Sequence, residues 1–590
     1  MVSSRNFSNS DIAKLLKNIA VAYELKNKNS FKIRAYQKAA STIKHTNEDL
    51  KNLWQKNKLT SLPGIGKSIA EHLDELFRTG KVKHFNRILK PFPQAMFVLI
   101  EIPGIGPKTA IKFCQQFNLK NPATAVKQLE KLIKKKKIGS LEGFGQESAK
   151  NIQENISRFK QKTSRILLPQ ALTLSQQIID YLKQSPDILQ IEPLGSLRRQ
   201  VDTIGDIDIA VVTKQPQKAL EHLLKYSQIK KIINQGTSKA SIIISNNMQI
   251  DIRFQSPDDF GALLQHFTGS KSHNIKLRQI AQGKNLSLSE YGIKNKQKKL
   301  IKFSSEEKLY NYLGLGWIPP ELREARGELK AAQQHKLPNL IDLKDIKGDL
   351  HIHTNYDLQT SHDLGNSSMQ ALIKKAHALK YQYIGFSDHN PSISRHSSQQ
   401  IIDILKGRKE EIEKIKYSSE KKVKIRVLNL LEIDIRPDGS LAVPDKALEQ
   451  LDFATVSIHS SFRQNKNTIT NRILTALKHP QVKIFGHPTN RIINYRSPIA
   501  PDWDKIFDFC QKNNKILEIN SNPNRLDLPD ALVHQSLKYG VKYVINTDAH
   551  DVNQLNFMSY GVAVARRGWL ESKNIINTLP WDKLKGILNL

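Results

Sequence analysis

Three aspartates in the first half of the chain have the types and spacing to hold divalent cations. Asp206 and Asp208 stand two apart in Gly205-Asp206-Ile207-Asp208, which reads as a strand. Side chains at i and i+2 of a strand share a face, so both carboxylates project together while Ile207 and Ile209 pack behind. Asp251, in the run QIDIRF, lies on another strand. Three carboxylates on neighbouring strands can hold two Mg²⁺ ions, one activating an attacking hydroxyl and one stabilising a triphosphate leaving group. Upstream, Gly195 and Ser196 offer small, hydrogen-bonding contact to phosphate, and Arg199 a cation for it. An isolated Asp-x-Asp is most often a surface turn; this array, with its Gly-Ser turn at a fitting distance, is more than that.

A second set of donors fills the C-terminal part. Gly348-Asp349-Leu350-His351-Ile352-His353 puts His351 and His353 on one strand face, a good pair of metal ligands. Later apolar runs end in Asp388-His389, Glu432, His459, His487 and Asp548 with His550. Imidazole and carboxylate donors without thiolate suit Zn²⁺, Mn²⁺ or Fe²⁺ better than Ca²⁺. Such ions lower the pKa of bound water enough for it to attack a phosphate ester near neutral pH. His377, His396, His479 and His534 read as ordinary core or surface residues. Arg491, after His487-Pro488, reads either as a phosphate contact or as a solvated surface arginine.

A third feature is a weak internal repeat: LPGIGKSIAEHLDEL (62–76), IPGIGPKTAIKFCQQF (102–117) and the degenerate LEGFGQESAKNIQENI (141–156). Each has an apolar residue, a Gly-x-Gly turn and an amphipathic helix. Gly64 and Gly66 form one turn, Gly104 and Gly106 another, with Lys67 and Lys108 beside them. Free backbone N–H groups and the positive end of the helix dipole favour a phosphate there.

The elements that must position these groups follow from periodicity. Ile12, Leu15, Leu16 and Ile19 recur at helical spacing, with Ser10 as a candidate cap. A helix over about 169–184 precedes the β-rich runs IGDIDIAVVT, SIIIS and MQIDIRF, the last two flanking an Asn246-Asn247 hairpin turn. Residues 257–316 look mixed and mostly helical. From Lys347 onward short apolar strands alternate with helices, which predicts a parallel-stranded α/β barrel whose site gathers at the carboxyl ends of the strands.

Composition agrees with several domains and a polyanionic partner. The 590 residues carry a formal charge of +36. Residues 1–162 hold 31 Lys and Arg against 12 Asp and Glu, a surplus of 19, so half of the excess sits in the first quarter. The run Lys134–Lys137 reads as a solvated basic face. The two cysteines, Cys114 and Cys510, exclude a disulfide framework or a cysteine zinc site. No apolar signal core or membrane-length run is present, so a cytoplasmic, non-membrane protein, monomeric, is expected.

Over roughly residues 1–325 these motifs, with SFKIRAYQKAA (30–40) and HFTGSKSHNIKLR (266–278), resemble the X-family DNA polymerases related to polymerase beta, and the glycine turns resemble the helix-hairpin-helix motif, which grips DNA backbone without reading bases. The strand-end series resembles the PHP (polymerase and histidinol phosphatase) domain that bacterial members carry at their C-terminus, and YNYLGLGWIPPELREARGE (310–328) resembles their junction. The resemblance implies template-directed, gap-filling synthesis of the base-excision repair type from dNTPs on gapped or primer-template DNA with Mg²⁺ or Mn²⁺. It places nucleotide contacts at Gly269, Lys271 and Asn274 and a template contact at Arg278. For the PHP half it implies 3′–5′ exonuclease action, often with AP-endonuclease or 3′-phosphatase action, and a trinuclear Mn²⁺ or Zn²⁺ cluster on His351, His353, His389, Glu432, His459, His487, Asp548 and His550. The alternative is a DNA phosphoesterase whose polymerase half only binds DNA.

Three departures stand out. His266-Phe267 replaces the usual Tyr-Phe before Thr-Gly-Ser, which screens the sugar 2′-hydroxyl. His72 replaces the lysine of relatives that excise 5′-deoxyribose phosphate, so the imine-forming amine is missing. The usual Ser-Asp-Gly after the first histidine pair is replaced by NYDLQTSHDLG (355–365); Asp357, His362 or Asp363 could supply the missing ligand, Asp363 being favoured. The expected fold is multidomain: an α-helical helix-hairpin-helix region, an α+β nucleotidyltransferase palm with thumb, and an α/β PHP domain, a distorted βα barrel. The expected boundaries are 1–85 and 86–162 for two helical DNA-binding parts, 163–256 for the palm, 257–325 for the nucleotide- and template-contacting part, 326–346 for a linker and 347–590 for the PHP domain.

Overall fold

The computed structural model describes residues 7, 9–26, 30–45, 50–62, 64–102, 104–139, 141, 144–162, 165–245, 247–423 and 425–590. It divides into two compact units, residues 1–164 and 165–590. Among the described residues no helix is long and apolar enough to cross a membrane.

The first unit is helical. Its opening helix, Asn9–Leu25, buries Ile12, Leu16 and Ile19 completely, while Leu15 is only partly covered. Ser10 lies within this helix instead of ahead of it, and its side chain is outside the described residues. Helices Lys67–Thr79 and Pro107–Gln116 each start directly after a Gly-x-Gly turn. Gly64 and Gly104 have φ of 80° and 82°, a left-handed conformation that side chains disfavour. Gly66 and Gly106 cap the helices with matching backbone angles, φ −77° in both and ψ 171° and 170°, and without a side-chain cap. Ile65 N donates to Leu62 O and Ile105 N to Ile102 O, at 3.1 Å in both turns. The degenerate third copy closes the same way, Phe144 N donating to Leu141 O at 2.9 Å before helix Gln146–Lys162, although Glu142 and Gly143 are outside the described residues. One core gathers around Ile12–Phe85, the other around Phe92–Phe159 with Val21 and Ala22.

The second unit begins with a five-stranded sheet. Strands β1 (Ile188–Pro193), β2 (Ile207–Thr213), β3 (Ile229–Asn234), β4 (Lys239–Ile244) and β5 (Gln249–Gln255) lie in the order β1-β2-β5-β4-β3. β2 and β5 are parallel; their other neighbours are antiparallel. The helix expected over 169–184 spans Leu168–Leu182 and packs Ile178 and Leu182 against the sheet core. The hairpin between β4 and β5 has Asn247 N bonded to Ile244 O at 2.9 Å; Asn246 is outside the described residues.

A core around Leu277, Ile293, Leu309 and Ile318 gathers most of the buried apolar residues from Ala262 to Leu340. The segment 326–346, expected as a linker, is packed rather than free: helix Glu328–Gln333 buries Leu329 and Ala332 in this core, Leu340 bridges to Glu571, and Ile341 and Ile346 belong to the core of the residues that follow. The same region holds a buried ion cluster. Arg198 Nη1 and Nη2 meet the two oxygens of Glu306 at 2.9 Å each, and Arg323 Nη1 meets Oε1 at 2.5 Å. Burial alone would raise the Glu306 pKa, but the two guanidiniums outweigh it and bring it down to about 2.

Seven strands of the C-terminal part, β6 (Gly348–Ile352), β7 (Tyr383–Phe386), β8 (Arg426–Asp434), β9 (Phe453–Ser457), β10 (Val482–Phe485), β11 (Ile516–Asn520) and β12 (Lys542–Asn546), form one parallel sheet in sequence order. Nearly all of their residues are buried whichever face they point to, as in parallel strands covered by helices, with polar side chains such as His351, Glu432 and Glu518 among the apolar ones. The sheet is a nearly closed barrel. At its seam Ile352 bridges Ala549, His353 N donates to Ala549 O at 2.8 Å, and Leu350 N donates to the Asn546 side chain at 2.9 Å.

Removing one partner of a buried ion cluster leaves charge without compensation. Glu306→Ala is therefore expected to destabilise the second unit by about 3–5 kcal/mol, read as a lower urea midpoint, whereas surface Glu307→Ala changes it by less than about 0.5 kcal/mol.

Candidate active sites

In the palm sheet the register puts Asp208 of β2 directly opposite Asp251 of β5. Asp206 precedes β2 and is exposed, Asp208 is half-buried and Asp251 buried, while Ile207 and Ile209 are wholly buried behind them. Burial first, then the charges of Asp206 and Asp251, push the Asp208 carboxyl up to about 6. Asp251 is balanced by Lys239 Nζ at 3.5 Å and accepts from Gln249 Nε2 at 3.2 Å. The turn Gly195–Arg198 covers this group: Leu194 N donates to Asp208 O at 2.8 Å, and a Cβ on Gly195, whose φ is +59°, would stand 2.8 Å from Asp208 Oδ2.

The other sequence-expected contacts are placed unevenly. Arg199 donates to Glu324 Oε1 at 3.0 Å and to Thr268 O at 2.5 Å, beside Gly269. Its cation already has a carboxylate partner. The Asn274 amide is bonded to Gln265 and to His266 O, both at 2.7 Å. Ser196 is half-buried in the turn, and Lys271 and Arg278 are exposed on helix Lys271–Gly283. Lys67 and Lys108 are exposed in the first turns of their helices.

In the barrel, the carboxyl ends of the strands bring the expected donors to one place. Four overlapping groups have donor atoms within 4.8 Å of one another: His353, His389 and His550; His351, His353 and Glu432; Glu432, His459 and His487; and His362, His389 and His459. Glu432 is central, 2.8 Å from His487 Nε2, 3.0 Å from His389 Nδ1 and 3.4 Å from His351 Nε2. Asp548 Oδ1 lies 3.2 Å from His353 Nε2. Burial, with His550 and His389 alongside, holds His353 down to about 3, so its imidazole stays a neutral lone-pair donor. Buried donor atoms here have no hydrogen-bond partner, among them His351 Nε2, His353 Nε2, His550 Nε2 and Glu432 Oε2. Buried polar atoms are nearly always satisfied, and imidazole and carboxylate donors facing each other without bonds are what divalent cations fit.

Asp363 reaches this cluster, 3.5 Å from His550 and 3.8 Å from His389. His362 reaches it too, its ring 4.5 Å from that of His389 and its Nε2 2.8 Å from Asp434 Oδ2. Asp357 does not: it accepts from Gln359 N in its own turn. Asp388, grouped with His389 in the sequence, is turned away and bonded to Arg408 and Thr354. Arg491 is half-buried and bonded to protein rather than solvated. Its guanidinium holds Arg525 O, Leu526 O and, at 3.1 Å, Asp202.

Several partners escaped the sequence reading. Glu518, inside β11, accepts from His351 Nδ1 and His487 N at 2.7 Å each. Asp434 accepts from His459 Nδ1 at 2.6 Å. Such carboxylates fix the tautomer and aim of a ligating imidazole. Asp349, whose carboxyl burial pushes up to about 7, ties Thr547 to the strand carrying His351. An acid at the end of an apolar run was the available signal for Glu518, since ILEIN has the same form as the runs ending in Glu432 and Asp548.

Comparison with known proteins agrees with this geometry. Family models match as a helix-hairpin-helix domain over residues 7–82, a SAM-like helix-hairpin-helix tandem over 97–157, a DNA polymerase beta thumb over 263–324 and a PHP domain over 349–522. The chain is 35% identical over 581 residues to the DNA polymerase/3′-5′ exonuclease PolX of Bacillus subtilis (strain 168), covering 98% of this chain and 99% of that one. The chain belongs to the X-family DNA polymerases that carry a PHP domain. It is also 23% identical to DNA polymerase lambda of Arabidopsis thaliana over 45% of this chain and 54% of that one. Its PHP half is 24% identical to a probable phosphatase of Thermoanaerobacter sp. (strain X514), over 39% of this chain and 89% of that one.

Two of the positions singled out in the sequence have definite surroundings. His72 is stacked on His84 with ring centres 4.8 Å apart and bonded to the Tyr36 hydroxyl at 3.2 Å, so an aromatic cluster stands where an amine was expected. His266 faces Glu290 at 3.8 Å, and the neighbouring Phe267 ring carries the Arg253 guanidinium at 3.6 Å.

Asp208 titrates near 6 when folded, above its ordinary 3.8. Its charge therefore opposes folding above about pH 6, and this cost vanishes below about pH 4. In EDTA, Asp208→Asn should raise the urea midpoint at pH 8 by an amount on the order of 1–3 kcal/mol and leave it unchanged near pH 3.5.

Proposed function

We propose that this chain is a DNA-directed DNA polymerase with an attached 3′–5′ exonuclease, acting on gapped or primer-template DNA. The palm adds nucleotides from dNTPs and the PHP barrel trims or cleans 3′ ends. The observation that carries the reading is that two donor sets converge separately: the aspartates on β2 and β5, and the strand-end imidazoles and carboxylates around Glu432. The name of the Bacillus subtilis relative joins the same two activities.

In the palm, Asp206, Asp208 and Asp251 would hold Mg²⁺ or Mn²⁺. Such ions, when bound, activate a 3′-hydroxyl and neutralise charge on a triphosphate. The chain's own part is positioning. The Asp208–Asp251 register fixes two carboxylates side by side, and Lys239 offsets part of their charge. Gly195 lets the covering turn approach to where a phosphate would lie against Asp208. Gly269, Lys271, Asn274 and Arg199 border the same region on the turn and helix that follow, and Arg278 lies further along that helix.

In the barrel, His351, His353, Asp363, His389, Glu432, His459, His487, Asp548 and His550 would hold a Mn²⁺ or Zn²⁺ cluster. Its chemistry is delivery of a nucleophilic hydroxide to a phosphodiester at neutral pH. Glu518 and Asp434 donate nothing to substrate; each accepts an imidazole N–H so that the opposite ring nitrogen keeps its lone pair toward the cavity. The paired turns at Gly64-Gly66 and Gly104-Gly106 suit two phosphates of the DNA backbone, with Lys67 and Lys108 alongside.

On a 5′-labelled duplex with a one-nucleotide gap, Asp208→Ala should lose extension by roughly 10³-fold while keeping 3′ trimming, and His353→Ala should do the reverse. Extension surviving in Asp208→Ala would sink the palm assignment. In the barrel, Asp363→Ala should lower the bound metal by about one ion per chain, measured by mass spectrometry after gel filtration, with extension retained.

A further inference from the structure

Two arginines converge at the edge of the barrel cluster without a carboxylate between them. Arg525 Nη1 and Arg496 Nη2 both donate to one neutral acceptor, Asn490 Oδ1, at 2.9 and 2.5 Å. Asn490 is buried and its amide nitrogen is bonded to Ile458 O, so the acceptor is held in place beside His459. Arg496 is further fixed by Asn490 O at 2.8 Å and by the Phe462 ring, 4.5 Å from its guanidinium carbon. Burial, and after it the neighbouring Arg525, lower the Arg496 pKa to about 10, with Asp527 acting the other way.

The carboxylates nearby offset only part of the pair's charge. Asp527 acts on both arginines from a distance, its Oδ1 accepting from the Thr489 backbone N–H at 3.0 Å. Asp548 divides its oxygens: Oδ1 faces His353 and His351, while Oδ2 accepts from Asn520 at 3.0 Å and stands 3.6 Å from Arg525 Nε. The arginine pair therefore lies on the far side of Asp548 from the imidazoles. A guanidinium fork suits the non-bridging oxygens of a phosphate, and an anion relieves the repulsion of two such forks.

We propose that Arg525 and Arg496 form a second phosphate subsite of the exonuclease, receiving the DNA phosphodiester adjacent to the one that is cleaved. This rests on the exonuclease reading of the barrel. It makes the site selective for a strand with at least two phosphates over a single phosphate ester.

The test compares two substrates on the full, metal-loaded chain: a 5′-labelled oligothymidylate, and thymidine 5′-(p-nitrophenyl phosphate), which has one phosphate. For Arg496→Met and Arg525→Met, the ratio of kcat/KM on the oligonucleotide to kcat/KM on the ester should fall about tenfold, mainly through KM, with bound metal unchanged by mass spectrometry. Arg525→Lys should recover part of the ratio, since it keeps the charge and loses the fork. An unchanged ratio, or equal losses on both substrates, overturns the subsite. Should the wild type cleave neither substrate, the exonuclease reading fails by itself. Calorimetric binding of the dinucleotide pTpT relative to thymidine 5′-monophosphate then reads the same ratio, and an Arg496→Met chain with an undiminished preference for the dinucleotide overturns the subsite.

Discussion

Donor atoms at the mouth of the barrel are buried with nothing of the protein's own to bond to, and the rest of the second unit is arranged around that cost. Leaving one buried donor or acceptor unmade costs about 1–3 kcal/mol. His351, His353, His389, His487, His550 and Glu432 all contribute such atoms. They stay in place because the opposite edge of several rings is tied down, His351 to Glu518 and His459 to Asp434, and because the strands beneath are almost wholly buried. The cluster is thus preorganised for cations by a scaffold that leaves several of its donor atoms unbonded. The palm solves a similar problem on a smaller scale. There, three like charges are tolerated because one is exposed, one is balanced by Lys239 and one has its proton affinity raised.

What could be read from the sequence was whatever depends on local spacing. The two-residue alternation of Asp206 and Asp208 on a strand, and donors placed at the ends of apolar runs, translate directly into faces and strand ends. The Gly-x-Gly turns were legible for the same reason, and the third copy proved closer to the others than its residues suggest, because its closing hydrogen bond is made by backbone. Side-chain aim was not legible. Asp388 and His389 are neighbours in the chain, yet one faces Arg408 and the other the cluster. Whether Arg491 met phosphate, solvent or protein depended on carbonyls 34 and 35 residues away.

The segment taken for a linker, 326–346, is held for a related reason. Two charged residues inside it have partners far off in sequence: Asp530 for Arg326 and His273 for Glu328. Polar composition signals exposure only when charges lack partners. The same long-range pairing joins the two halves of this unit. Glu324 accepts from both Arg199, beside the palm, and Arg567, on a helix of the PHP barrel, and Asp530 accepts from Arg567 and Arg326. Nucleotide chemistry and phosphodiester chemistry are therefore housed in one continuous body whose junction is made of shared carboxylates.

The barrel's seam carries a consequence of its own. The first and last strands meet there through the Ile352–Ala549 bridge, and Asn546 adds to the closure by receiving Leu350 N on its side-chain oxygen. The nitrogen of that same amide donates to Glu518 at 2.9 Å, and Glu518 in turn aims His351. Architecture and reactivity thus pass through one side chain four atoms long. A change that loosens the cylinder is felt at once by the imidazole it surrounds, so the seam acts as the keystone of the chemistry.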